Sequence, residues 1–163
     1  MPAYTTRMPA GIAGNISRSD SVTVEPVQIN SAKPPLAYGV FGKFVSNRAE
    51  PLEAADAAAV VVGMFTRPYP FQSTDNNFGG GVPPTSGILD FLRRGYVSVI
   101  LKSGTATKGA PVFVVTTAGG TSNLNDIVTS AAPASGGTAV QVANCFFTGA
   151  ADANGITEVA YNI

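Results

Sequence analysis

"ILDFLRRGYVSVILKSG", Ile88 to Gly104, is the stretch on which the fold turns. Its second half alternates cleanly. Val97, Val99 and Leu101 fall on one side, and Ser98, Ile100 and Lys102 on the other. A period of two places successive side chains on opposite faces of a strand. The first half does not alternate. Ile88 to Arg94 fits either a short helix or one arm of a hairpin that turns at Arg94-Gly95.

Further strands lie on both sides of this stretch. "SGTATKGAP" is a turn-rich link to "VFVVTT", Val112 to Thr117. After the polar loop "AGGTSNLNDIVTSAAPASGGT" come "AVQVANCFF" and "GITEVAYNI", with Thr157, Val159, Tyr161 and Ile163 on one face of the last strand. Toward the N-terminus, "SVTVEPVQIN" alternates, with Pro26 marking an edge or a bulge because it has no N–H for a ladder. Lys33-Pro34-Pro35 is a stiff connector into a strand expected over Leu36 to Val45, and "AVVVGMFT", Ala59 to Thr66, is expected as a buried strand. Between these two strands, "NRAEPLEAADAAA" is the best helix candidate. Pro51 suits a first helical position, and Glu53 and Asp56 sit where the helix dipole favours acid. "RPYPFQSTDNNFGGGVPPTSG", Arg67 to Gly87, is a long loop, and its Tyr69, Phe71 and Phe78 call for a surface to pack on.

Residues 1–20 show neither period. A disordered tail is one reading. The anchors Tyr4, Met8, Ile12 and Ile16 favour an extended arm that orders on a partner. The expected organisation is an arm over 1–20 and a single β domain over 21–163. With about seven closely spaced strands and little helix, the fold class is mainly β, a β-sandwich or jelly-roll-like barrel with long loops.

Composition narrows the function. Of 163 residues, only 12% are charged, and ten basic side chains balance ten acidic ones. Arg93-Arg94 is the only adjacent basic pair, so no basic stripe for nucleic acid exists, and a partner carboxylate is the modest expectation for it. A weakly charged surface suits close contact with other protein. The longest apolar run, Ala57 to Phe65, is far short of the ~20 residues a membrane span needs, and no export signal is visible.

Catalysis is poorly provided for. There is no His, which removes Ser-His-Asp and Cys-His systems and His metal ligands. The one cysteine, Cys145, sits among Val142, Phe146 and Phe147, as a buried thiol does. A Ser103 pair with Lys102 or Lys108 is better read as a solvated turn. "GGGVPPTSG" lacks the Lys-Ser or Lys-Thr of a phosphate loop, and Pro84 stands where the dinucleotide pattern wants its last glycine. Two carboxylate pairings stay open: Glu53 with Asp56 on one helix face, and Asp90 with Glu158 if the fold joins them. "DANG", Asp152 to Gly155, has the look of a calcium loop. With Gly155 at loop position 6, however, Ala150 takes position 1 and Tyr161 takes position 12, so the first and the bidentate ligands are missing. Asn154-Gly155 is instead a hairpin reversal between Val140–Phe147 and the last strand. No catalytic residue, metal or cofactor is expected.

Four stretches resemble the cement (decoration) proteins of tailed-bacteriophage capsids: "AGNISRSDSVTVEP", "YGVFGKF", "GILDFLRRGYVSVILKSGTATKGAPVFV" and "FFTGAADANGITEVAYNI". The resemblance implies a small non-catalytic β-sandwich or jelly roll, made in the host cytoplasm and carried on the capsid exterior. It implies the major capsid protein as partner, self-association as a dimer or trimer, and no membrane or nucleic-acid partner. Bridging several shell subunits gains avidity from modest contacts. The expected partner-contact residues are Tyr4, Arg7, Met8, Ile12, Ile16, Tyr69, Phe71, Phe78, Arg93 and Arg94. The alternative is a non-catalytic binding module, carbohydrate-binding or fibre-like, using Tyr69, Tyr96 and Phe78. A hydrolase built on a carboxylate pair is a third.

Overall fold

The structure, a computed structural model, describes residues 11–68 and 81–163. Among these residues the chain is built from nine strands and one short 3-10 turn, Ala58–Val60. The strands are β1 (Ile16–Gln28), β2 (Phe41–Val45), β3 (Arg48–Pro51), β4 (Gly63–Phe65), β5 (Ile88–Ser103), β6 (Pro111–Thr117), β7 (Ile127–Val128), β8 (Thr138–Phe147) and β9 (Ile156–Tyr161). The fold is mainly β, as expected. All ladders between these strands are antiparallel except β5 with β7.

The opening stretch proves to be one strand of 16 residues. β5 pairs with β1 and β4 in its first half and with β9 and β7 in its second. Following the ladders from β5 through β7, β6, β8 and β9 leads back to β5. These five strands therefore close into a small barrel, which removes free edges. Arg94-Gly95 is a bend inside the strand and not a hairpin turn. Gly95 has φ 141°, and the β1 register slips opposite it. The bend lets the first half of β5 leave the barrel and join β1, β2, β3 and β4.

Two cores follow from this division. Val97, Val99, Val112, Val114, Val142, Cys145, Phe147, Val159 and Tyr161 fill the barrel, with Phe41, Met64 and Leu92 at its end. Val27, Ile29, Tyr38, Ala49, Phe65, Leu89 and Phe91 form the second. Phe91 and Leu92 are neighbours in sequence yet bury into different cores. A strand buried on both faces cannot alternate, which is why Ile88–Arg94 resists reading as a strand.

Other elements differ from expectation. The helix over "NRAEPLEAADAAA" is absent. Arg48–Pro51 is strand β3, which pairs with β2 across Ser46-Asn47, both at positive φ as a two-residue hairpin turn requires. The strands expected over Leu36–Val45 and Ala59–Thr66 shrink to Phe41–Val45 and Gly63–Phe65. β1 begins at Ile16, inside the span 1–20. Pro26 lies in β1, whose only ladder among the described residues is to β5 and whose outer edge can spare the N–H.

Candidate functional site

Glu158, Glu53, Asp56 and Asp152 are held by structural partners. Glu158 pairs with Ser98 in the β9–β5 register, and Asp90 lies eight residues back along the same strand, roughly 26 Å away at strand rise. No carboxylate pair forms there. Glu158 instead grips Arg18. Arg18 Nη2 donates to Oε2 at 2.6 Å and Nε to Oε1 at 3.1 Å, while Ser17 Oγ and Thr148 Oγ1 each donate at 2.6 Å. Burial acts to raise the Glu158 pKa, but these donors outweigh it and hold the carboxyl below its ordinary 4.5. The same Arg18 lies 4.2 Å over the Tyr96 ring, so that face of Tyr96 is not open to a sugar.

Glu53 and Asp56 do not share a helix face. They meet Lys43, which stands directly opposite Glu50 in the β2–β3 ladder. Lys43 Nζ lies 2.8 Å from Asp56, 3.0 Å from Glu53 and 3.5 Å from Glu50, and Lys33 also pairs with Glu53. Lys43 is 8% exposed and Glu50 1%. Burial acts to lower the Lys43 pKa, but its carboxylate partners outweigh this and raise it.

The "DANG" segment is a hairpin closure. Asp152 Oδ1 accepts from Asn154 N at 2.9 Å and Ile156 N at 2.8 Å, and Asp152 O accepts from Gly155 N at 3.0 Å. One carboxylate oxygen is thus engaged by two backbone donors of the turn. Among the described residues no group of three or more His, Cys, Asp or Glu is placed to hold a metal ion. Cys145 is buried in the barrel, and desolvation pushes its thiol pKa far up, so it is a poor nucleophile. Ser103 is the last residue of β5, opposite Val128, and Lys108 lies in the turn beyond it.

What remains is surface. The β2–β3 hairpin carries Phe44, 39% exposed, and Val45 beside it, also half-exposed. Phe44 packs on Phe91 with ring centroids 5.4 Å apart. The Arg93 guanidinium lies 5.4 Å over the Phe44 ring. Arg93 Nη1 is buried and has no hydrogen-bond partner among the described residues. Arg94 beside it is exposed. The Arg93 carbonyl accepts from Asn162 Nδ2 at 3.0 Å, which brings the half-exposed Ile163 to the same neighbourhood. A half-exposed aromatic ring thus lies beside a guanidinium short of an acceptor, which makes this surface a candidate for contact with protein.

Of the expected contact residues, Arg93 and Arg94 lie at this patch. Ile16 starts β1 opposite Val97, and Ile12 closes a turn by accepting from Asn15 N at 3.0 Å. Tyr4, Arg7, Met8, Tyr69, Phe71 and Phe78 lie outside the described residues. Phe44, the neighbour of Arg93 in this candidate patch, was not singled out from the sequence. Its signal was the pair Ser46-Asn47 between two strand-like runs, a hairpin cue weakened by the absence of glycine.

Comparison with known proteins adds identity to geometry. The family described as XM1 gp53 minor capsid protein matches residues 1–161. A chain from the solved capsid of Myoviridae phage XM1 superposes with a TM-score of 0.70 at 20% identity, covering 98% of this chain and 95% of that one, which shows a shared fold. No curated protein sequence matches. Among the described residues no helix is long and apolar enough to cross a membrane. The match spans nearly the whole chain, and the chain therefore belongs to the XM1 gp53 minor capsid protein family, a capsid protein of a phage virion.

Proposed function

We propose that the protein is a cement protein. It binds the outer surface of the major capsid protein shell and stabilises the shell by bridging neighbouring subunits. The observation that carries this reading, beyond the family, is the Phe44–Arg93 patch. A buried guanidinium nitrogen without an acceptor costs about 1–3 kcal/mol, and turning the Arg93 side chain out to a shell carboxylate on docking removes that cost. Phe44, half-covered by Phe91 and Arg93, supplies the apolar anchor.

Bridging needs more than one contact per assembly. Self-association as a dimer or trimer lets one unit touch several shell subunits, and the second contact then forms at high effective concentration. The protein acts without catalysis, metal or cofactor. The carboxylates a hydrolase would need are held by Arg18, Lys43 and the turn at Asp152.

The test is co-sedimentation with shells assembled without the protein. Arg93→Ala should bind about ten- to a hundredfold more weakly, as loss of one charge-assisted contact implies. Arg94→Ala, exposed on the rim, should change binding much less. Equal binding by wild type and Arg93→Ala, with both folded, would place the contact surface elsewhere.

A further inference from the structure

We infer that residues 1–10 of the chain dock back into an apolar groove on the chain's own β domain. The groove encloses about 510 Å³ between the segment after β1, the end of β3, the second half of β5 and the loop before β7. Leu36, Tyr38, Val40, Leu52, Ile100 and Leu124 line it. Leu36 at its mouth is 87% exposed, and Ile100 and Leu124 are each more than a third exposed. Apolar side chains clustered around an open groove mark a docking site.

The course of the chain says what covers it. Arg18 fixes the root of the arm on Glu158. From there the chain runs back along β5: Ser98 N donates to Asn15 O at 2.9 Å, and Gly14 N donates to Ser98 O at 2.7 Å. The turn from Ile12 to Asn15 then brings Gly11 against Ser98, whose Oγ lies 3.2 Å from where a Cβ would stand. Ile100, a wall of the groove, is two residues further along the same face of β5, about 7 Å away. The described chain thus begins with Gly11 at the edge of the groove, and ten extended residues would span roughly 33–36 Å, ample to cross it. Tyr4, Met8 and Pro9 provide apolar side chains to fill it.

Paramagnetic relaxation in the full chain tests this. A nitroxide is attached at Tyr4→Cys, since Cys145 is buried and stays unmodified. Methyl-labelled, nitroxide-bearing chain is first diluted into a large excess of unlabelled chain. Leu36, Ile100 and Leu124 methyl signals should lose most of their intensity relative to the same sample with its nitroxide reduced. In a second sample the nitroxide and the methyl labels are on different chains, and these signals should keep their intensity. Broadening only in the second sample would mean that a second copy fills the groove, and broadening in neither would mean that residues 1–10 do not reach it. Either result overturns the inference. Met8→Asp with the same nitroxide should restore the groove signals without moving the barrel signals.

Discussion

Replacing Lys43 by Met should be among the most destabilising single changes on the surface layer of this protein. Lys43 is nearly covered, and its ammonium lies within 3.5 Å of Glu50, Glu53 and Asp56. Glu53 and Asp56 keep access to water, but Glu50 does not. One of its oxygens, Oε2, accepts from Asn30 Nδ2 at 2.6 Å, while Oε1 has only the ammonium near it. Lys43→Met leaves Glu50 as a buried charge without a counterion, which costs about 3–5 kcal/mol. For a domain of this size each kcal/mol moves Tm by roughly 2–4 °C, so the expected fall is roughly 6–20 °C at neutral pH. Thermal unfolding by circular dichroism reads it directly. The double variant Lys43→Met with Glu50→Gln removes both charges and keeps an acceptor for Asn30, so it should recover most of the loss. A single variant within about 1 kcal/mol of wild type, or a second change Glu50→Gln that deepens the loss instead of relieving it, would refute this reasoning. The consequence reaches the contact patch, because the same hairpin carries Phe44 next to Lys43.

Three further changes have defined outcomes. Asp152→Ala removes the acceptor for Asn154 N and Ile156 N and should cost about 1–2 kcal/mol in denaturant unfolding, while added calcium leaves the wild-type midpoint unmoved. Glu158→Gln should lower stability at neutral pH. Because the folded pKa of Glu158 lies below 4.5, its contribution is present above that value and fades as pH falls through the folded pKa, so the gap between wild type and variant should close in acid. Gly63→Ala would put a Cβ into the Phe91 ring and the Leu92 carbonyl, and overpacking of this kind should cost about 1–3 kcal/mol or more by thermal unfolding.

The legible parts of the fold are those where one face is buried and the other is not. The second half of β5 and β9 alternate, while β6 and β8 are short strand-prone runs bounded by turn residues. The sites of failure have a common cause in partners distant along the chain. "EPLEAADAAA" has good helix formers, yet it is held extended and then turned by groups far away. Asn125 Oδ1 accepts from Leu52 N at 3.1 Å and Asn125 Nδ2 donates to Leu52 O at 3.0 Å, as a neighbouring strand would. Asp56 Oδ2 then accepts from Glu53 N at 2.7 Å and closes a turn, with Ala55 at φ 63°. No local pattern announces a side chain 73 residues away acting as a strand. The candidate site was half visible for the same reason. Arg93-Arg94 stands out as the one adjacent basic pair, but Phe44 becomes its neighbour only through the β2–β4–β5 ladders.

The most direct test of the cement reading is to add the purified protein to shells that lack it. Their structure is then determined at side-chain resolution by cryo-electron microscopy, and heat disruption of bare and decorated shells is compared. The expected result is ordered density on the outer face, with the β2–β3 hairpin and Arg93 against the shell. Each assembled unit should touch more than one capsid subunit, and disruption should move to higher temperature. Density confined to a single subunit, or decorated shells that fail at the same temperature as bare ones, would contradict a cementing role.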